Sequence, residues 1–138
     1  MADLALVSGR KLEIVHSEKA DIKDFIQAEP LAVGDIVYQT SAGKVAKADA
    51  NVAGKQQARG IVVRKTGSVV SVAKKAYLAG FDLSGLVYDA PVFLSDTAGK
   101  MADAAGTLSV NLGRVIGLTD PDLEKVLYFE ADWLRTWA

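Results

Sequence analysis

Hydrophobic positions along this chain come in short runs closed off by glycine and small polar residues, with alternation inside the runs rather than a helical period. Two stretches share one design. Asp35 to Lys47 reads DIVYQTSAGKVAK and Ala90 to Asp103 reads APVFLSDTAGKMAD. Each carries an apolar run with an aromatic (Val37-Tyr38, Val92-Phe93), small polar residues, an identical Ala-Gly-Lys (42–44 and 98–100), and a return segment opening on Val45 or Met101. Glycine supplies the positive φ a hairpin loop needs and the flanks favour strands, so each stretch predicts strand, turn, strand. The echo continues downstream, Arg59-Gly60-Ile61-Val62 after the first hairpin answering Arg114-Val115-Ile116-Gly117-Leu118 after the second. The pattern predicts an internal duplication.

Taken in order, Met1 to Lys11 has no clean period, contains Ser8-Gly9, and is expected to be a mobile arm unless a partner orders it. Leu12 to His16 predicts a short strand and Ser17 to Asp21 a turn. Ile22 to Ala28 fits a second strand or one helical turn, ended by Pro30, which biases Glu29 toward extended backbone. Ile36 to Gln39 and Gly60 to Arg64 predict strands, with a surface loop over Asp49 to Gln57 between the two. Val69 to Ala73 is strongly β-forming, and Lys74-Lys75 is expected at its solvated end. Ala76 to Gly85 fits a helical turn or a bulged strand. Leu108 to Leu112 and Arg114 to Leu118 predict two strands broken at Gly113, Thr119 to Asp122 a turn, and Val126 to Phe129 the last apolar run.

About eight to ten short strands with no long amphipathic helix point to an all-β fold, a small β-barrel, β-tulip or sandwich built around the repeated hairpin. No Pro/Gly/Ser-rich linker divides the 138 residues. The expected organisation is an N-terminal arm over 1–11 and one β domain over 12–138.

Charge and composition narrow the function. The formal net charge of −1 comes from interspersed Lys, Arg, Asp and Glu, with no basic stripe for phosphate neutralisation, so nucleic acid is not an expected partner. With no cysteine, disulfides and thiolate chemistry are outside the chain's means. No apolar run reaches membrane-spanning length and the first residues lack a secretory pattern, so the expectation is a soluble protein that is not exported, without a membrane partner.

Candidate chemistry is sparse. A phosphate loop needs glycine five residues before the second Gly and Ser or Thr after the Lys, whereas Tyr38 and Leu94 stand at the first position and Val45 and Met101 at the last. His16 is the only histidine and no Gly-x-Ser-x-Gly elbow accompanies it. Asp120, Asp122 and Glu124 hint at a cation loop, but Lys125 and Ala131 occupy the places of its glycine and distal glutamate. Asp82, Asp89, Asp96 and Asp103 read as turn acids. The expectation is a non-enzyme with no cofactor or metal.

The most unusual stretch is Tyr128 to Trp137, which holds both tryptophans. Exposing two indoles forfeits about 1.5–3 kcal/mol of burial each. Two readings stay open: a segment that closes its own barrel, or an anchor at an interface, where Trp and Arg are enriched. The candidate interface residues are Leu4 and Leu6 in the arm and Trp133, Leu134, Arg135 and Trp137 in the tail.

One resemblance draws on the order Glu-x-Leu-x-x-Gly-Asp-x-Val-Tyr, Ser-Ala-Gly-Lys-Val-x-x-Ala-Asp, Gly-Ile-Val, Pro-Val-Phe-Leu-Ser-Asp-x-Ala-Gly-Lys and Arg-Val-Ile-Gly-Leu, from Glu29 through Leu118. This order resembles the capsid decoration, or cement, proteins of tailed bacteriophages. The resemblance implies a small β-barrel or β-tulip protein on the outer surface of the virion, made in the cytoplasm of the bacterial host. It implies a homo-oligomer, trimer before dimer, that binds the major capsid protein of the expanded head and stabilises it. The alternative is a virion-associated β-barrel module for a host receptor or carbohydrate, which would use Tyr38, Tyr77, Tyr88 and the tryptophans.

Overall fold

The computed structural model describes residues 3–118 and 124–137. The fold is all-β, one curled antiparallel sheet forming a half-barrel. Its strands are β1 (Glu13–Val15), β2 (Asp21–Ile26), β3 (Ile36–Gln39), β4 (Val45–Lys47), β5 (Gly60–Thr66), β6 (Val69–Ala79), β7 (Pro91–Leu94), β8 (Met101–Ala102), β9 (Asn111–Leu118) and β10 (Glu124–Glu130). The order β4-β3-β5-β6-β10-β9-β7-β8 reads as one four-strand unit written twice in mirror sequence, joined at β6 and β10. Among the described residues no helix is long and apolar enough to cross a membrane.

The duplication is visible residue by residue. In the first hairpin Tyr38 pairs with Ala46 and Gln39 with Val45; in the second Phe93 pairs with Ala102 and Leu94 with Met101. Val37 then pairs with Gly60 of β5, and Val92 with Gly113 of β9. Gly60 therefore corresponds to Gly113, two residues out of step with the sequence alignment of Arg59 on Arg114. Both glycines serve close approach of backbones. A Cβ at Gly113 would lie 2.1 Å from Tyr128 O, and one at Gly60 would lie 2.3 Å from Val72 Cγ1 and 2.7 Å from Ala73 O. Gly113 thus does not break the strand as the sequence predicts; β9 runs through it because its missing Cβ lets β10 come near.

β6 also differs from expectation. It is 11 residues long, and Lys74-Lys75 sit in its middle rather than at a solvated end. The reason is pairing on both edges: β2 and β1 run along one, while β5 and then β10 occupy the other. Val70 faces both Phe25 and Lys65, and Lys75 faces both Asp21 and Glu130. A register shift between Asp21 and Ile22 lets successive parts of β6 send side chains to two cores. Ala73, Ala76 and Leu78 enter the larger core with Ile36, Ile61, Leu94 and Phe129, whereas Val70 and Val72 join Leu31, Val37, Val45 and Val62 in a smaller one beneath Phe25. Of the stretch Ala76 to Gly85, the first four residues are thus strand, and Gly80, at φ 109°, turns the chain away. The turn expected at 119–122 lies outside the described residues.

Where the sequence predicts a mobile arm, residues 3–11 lie against the body. Leu4 N–H donates to Met101 O (2.8 Å), Val7 N–H to Gly80 O (2.8 Å), and Ala5 O accepts from Asp82 N–H (2.8 Å). Leu4 and Leu6 alternate onto the larger core, which supplies the apolar contact that an isolated segment lacks.

Gly113→Ala and Gly60→Ala are each expected to lower stability by about 1–3 kcal/mol through overpacking against backbone, read as a shift in the urea midpoint. Gly43→Ala, at φ 81° with no atom within 4 Å of its added Cβ, tests the turn alone and should cost about 1–2 kcal/mol.

Candidate partner-binding surface

The two Ala-Gly-Lys turns have the same sequence and different surroundings. Gly43, at φ 81°, closes its own hairpin, donating N–H to Thr40 O at 3.0 Å, and faces open space. Gly99, at φ 77°, is wedged into the first repeat: its N–H donates to Ala48 O (2.8 Å), and its carbonyl accepts from Ile36 N–H (2.9 Å). Lys100 Nζ reaches 3.8 Å from Oδ1 of the buried Asp35, whose Oδ2 accepts from Ala32 N–H at 2.9 Å. The second repeat's turn is an internal clamp on the first.

The other candidate residues have the following surroundings. His16 takes the left-handed conformation (φ 54°) in the short 3-10 excursion between β1 and β2, edge-on to Tyr77 at 6.5 Å. Asp82 accepts from Ser84 Oγ (2.6 Å) and Ser84 N–H (3.1 Å), which hold its carboxyl below the usual range. Asp96 accepts from Thr107 N–H at 2.8 Å. Asp120 and Asp122 of the proposed cation loop lie outside the described residues, and among those described no three His, Asp or Glu gather in one place.

The two indoles of the tryptophan segment have different surroundings. Trp137 is only 8% exposed and packs on the larger core. Its backbone is gripped by one amide side chain, since Trp137 N–H donates to Gln57 Oε1 (2.8 Å) while Gln57 Nε2 donates back to Trp137 O (2.8 Å). Gln56 Nε2 adds a second bond to that carbonyl at 3.2 Å. Arg59 Nη1 donates to Asp132 O (2.7 Å) and Arg135 O (2.9 Å), and the Arg135 guanidinium lies 4.0 Å from the centre of the Trp137 ring. Residues of the loop over 49–57, which the sequence treats as plain surface, therefore fasten the segment. Their Gln-Gln-x-Arg spacing was the overlooked signal.

Trp133 points the other way. Its ring stacks on Phe25 at 5.9 Å and 12°, with the Arg59 guanidinium 5.8 Å from its centroid. A groove of about 310 Å³ opens beside it, floored by Phe25, Val72 and Trp133 and edged by Asp21, Lys23 and Lys74. Next to it Leu134 stands at the tip of a tight turn fixed by Leu134 N–H on Asp132 Oδ1 (2.9 Å), and it is 97% exposed. The six candidate interface residues thus separate. Leu4 and Leu6 line a different groove with Phe81 and Met101, Trp137 is interior, Arg135 is exposed above it, and Trp133 with Leu134 joins β2 at the surface.

Two expected outcomes test this arrangement. Gln57→Ala should cost about 1–3 kcal/mol by leaving Trp137 N–H without its partner and its carbonyl with Gln56 alone, and should move tryptophan emission to the red. The hydrogen bond from Tyr128 Oη to Glu130, with burial and the negative charge adding to it, pushes the phenol up to about 12. The shift is upward, so its stabilising contribution is complete below pH about 10 and is lost between about 10 and 12. In an alkaline absorbance titration Tyr128→Phe should remove the ionisation step at pH about 12, and Glu130→Gln should move that step to lower pH.

No protein-family model, curated protein or solved structure matches this chain.

Proposed function

We propose that this protein is a capsid decoration protein of a tailed bacteriophage, which binds the outer surface of the expanded head and stabilises it. The observation that carries the reading is a duplicated β scaffold whose edge strand β2 has exposed apolar side chains on one face and the Phe25–Trp133 stack on the other. Ile22, Ile26 and Val69 are exposed on neighbouring strands, and Leu134 is held out on its turn beside the Phe25–Trp133 stack. Isolated exposed apolar residues are ordinary on a protein surface; ones held in place by Asx turns and ring stacking suit a protein that docks. The motif order from Glu29 to Leu118 supplies the identity of the target.

The mechanism is binding linkage. A ligand that binds only the expanded shell stabilises that state by RT ln(1 + [L]/Kd), about 2.7 kcal/mol per site at a hundredfold excess over Kd. Joining protomers, as a trimer before a dimer, makes several such contacts act together. The major capsid protein is the partner in this reading.

Co-sedimentation with expanded shells that lack the protein, and with unexpanded procapsids alongside, provides the test. Saturable binding to expanded shells alone is expected, with Leu134→Asp weakening it at least about tenfold, the scale of an interface anchor. Binding to neither shell overturns the reading. The receptor or carbohydrate alternative draws on the Trp133 groove, and a glycan array read with Trp133→Ala separates it from shell binding.

A further inference from the structure

The sheet has three rims, and two of them are covered. Along β4, Gln27 forms a parallel bridge to Val45, whose carbonyl accepts from Ala28 N–H at 2.7 Å. Along β8, Asp3 bridges Ala102, and Leu4 N–H bonds the carbonyl of Met101, the residue corresponding to Val45 in the duplicated unit. The segment before the first hairpin therefore covers the same position on both repeats. The third rim, β1 with β2, has β6 as its only strand partner among the described residues.

The bond pattern shows what β2 presents. Gln27 N–H donates to Ser68 O at 2.9 Å, so Gln27, Phe25 and Lys23 direct their backbone groups to β6. Ile22, Asp24 and Ile26 direct theirs outward. Their side chains share one face, with Ile22 36% and Ile26 52% exposed, and Val69 opposite Ile26 is 41% exposed. Open edges in natural sheets are blunted by proline, inward charges or bulges. Here the outward series is Ile, Asp, Ile, so the edge is guarded by one charge, Asp24, and by the register shift between Asp21 and Ile22, and an added strand has to answer that charge.

We propose that β2 is a docking edge for an extended segment of another polypeptide with an apolar–x–cationic–x–apolar pattern. The segment adds as a strand beside Asp21–Ile26, bringing its Lys or Arg to Asp24 and its apolar side chains to Ile22 and Ile26. Asp24 Oδ1 accepts from Ser71 Oγ of β6 at 2.7 Å, which fixes the carboxylate on the β6 side, and an ionised carboxylate has further lone pairs for a cation on the open side. Charge also opposes a second copy of this chain in the register that would join its apolar residues. The two-fold register that sets Ile22 against the copy's Ile26 sets Asp24 against the copy's Asp24, and directly opposed like charges destabilise a sheet pair. The inference stands apart from the shell-binding reading, since it names the chemistry recognised whichever assembly presents it.

The test is fluorescence anisotropy with a labelled peptide Ser-Thr-Val-Thr-Lys-Thr-Val-Thr-Ser and its counterpart carrying Glu for Lys. The Lys peptide should bind about tenfold more tightly than the Glu peptide, the difference between an opposite and a like cross-strand pair. Asp24→Lys should reverse that preference. Ile26→Pro removes an outward N–H and no bond to β6, so it should abolish binding of the Lys peptide while the melting curve stays within a few degrees of the parent. Equal binding of the two peptides, no binding of either, or unchanged binding by Ile26→Pro would overturn the proposal. A wild-type dimer in sedimentation that Ile26→Pro dissociates would also overturn it, by giving the edge to a second copy.

Discussion

Pairing along both edges of β6 is the constraint from which the rest of the molecule follows. Eleven residues of one strand hold four others, β1 and β2 on one side and β5 and β10 on the other. No residue between Val69 and Ala79 is left to end the strand at its two lysines, because both lie where two strands are bonded or meet. Lys74 O accepts from Ala131 N–H (2.8 Å) as β10 ends, and Lys75 sits between Asp21 and Glu130. A ladder satisfied on both sides accommodates two lysines by letting them point away from the core.

The duplicated units hang from this strand and are not used alike. The Gly60 and Gly113 positions are equivalent and solve one problem, the close passage of a neighbouring strand. The two Ala-Gly-Lys turns are equivalent in sequence and unequal in role, since only Gly99 is clamped between Asp35 and Lys47 and only Lys100 pairs with a buried aspartate. A two-fold chain folding into one half-barrel has to break its own symmetry somewhere. This one does so where the second hairpin's turn closes on the first hairpin's entry.

The same asymmetry shapes the surface. Two rims are sealed by the chain's own early residues, and the third is left to β1 and β2. The tryptophan segment crosses to that side, with Trp137 locked inward by Gln56, Gln57 and Arg59 and Trp133 stacked on the edge strand's Phe25. A single segment therefore closes the body and shapes the surface next to the open rim, so neither of its two sequence readings excludes the other.

The sequence by itself determined the all-β class, the two hairpins, their turn glycines and the absence of a phosphate-loop pattern, because these depend on alternation and backbone freedom within a few residues. It also singled out Trp133, Leu134, Arg135 and Trp137 as worth explaining. Only the tertiary structure decided which of them is interior, because that depends on Gln57 and Phe25, some eighty and one hundred residues away in the chain. The length of β6, the continuity of β9 through Gly113 and the docking of residues 3–11 were hidden for the same reason. Each is set by a partner strand or a core contact distant in sequence, and local propensity cannot register a neighbour that only folding brings into place.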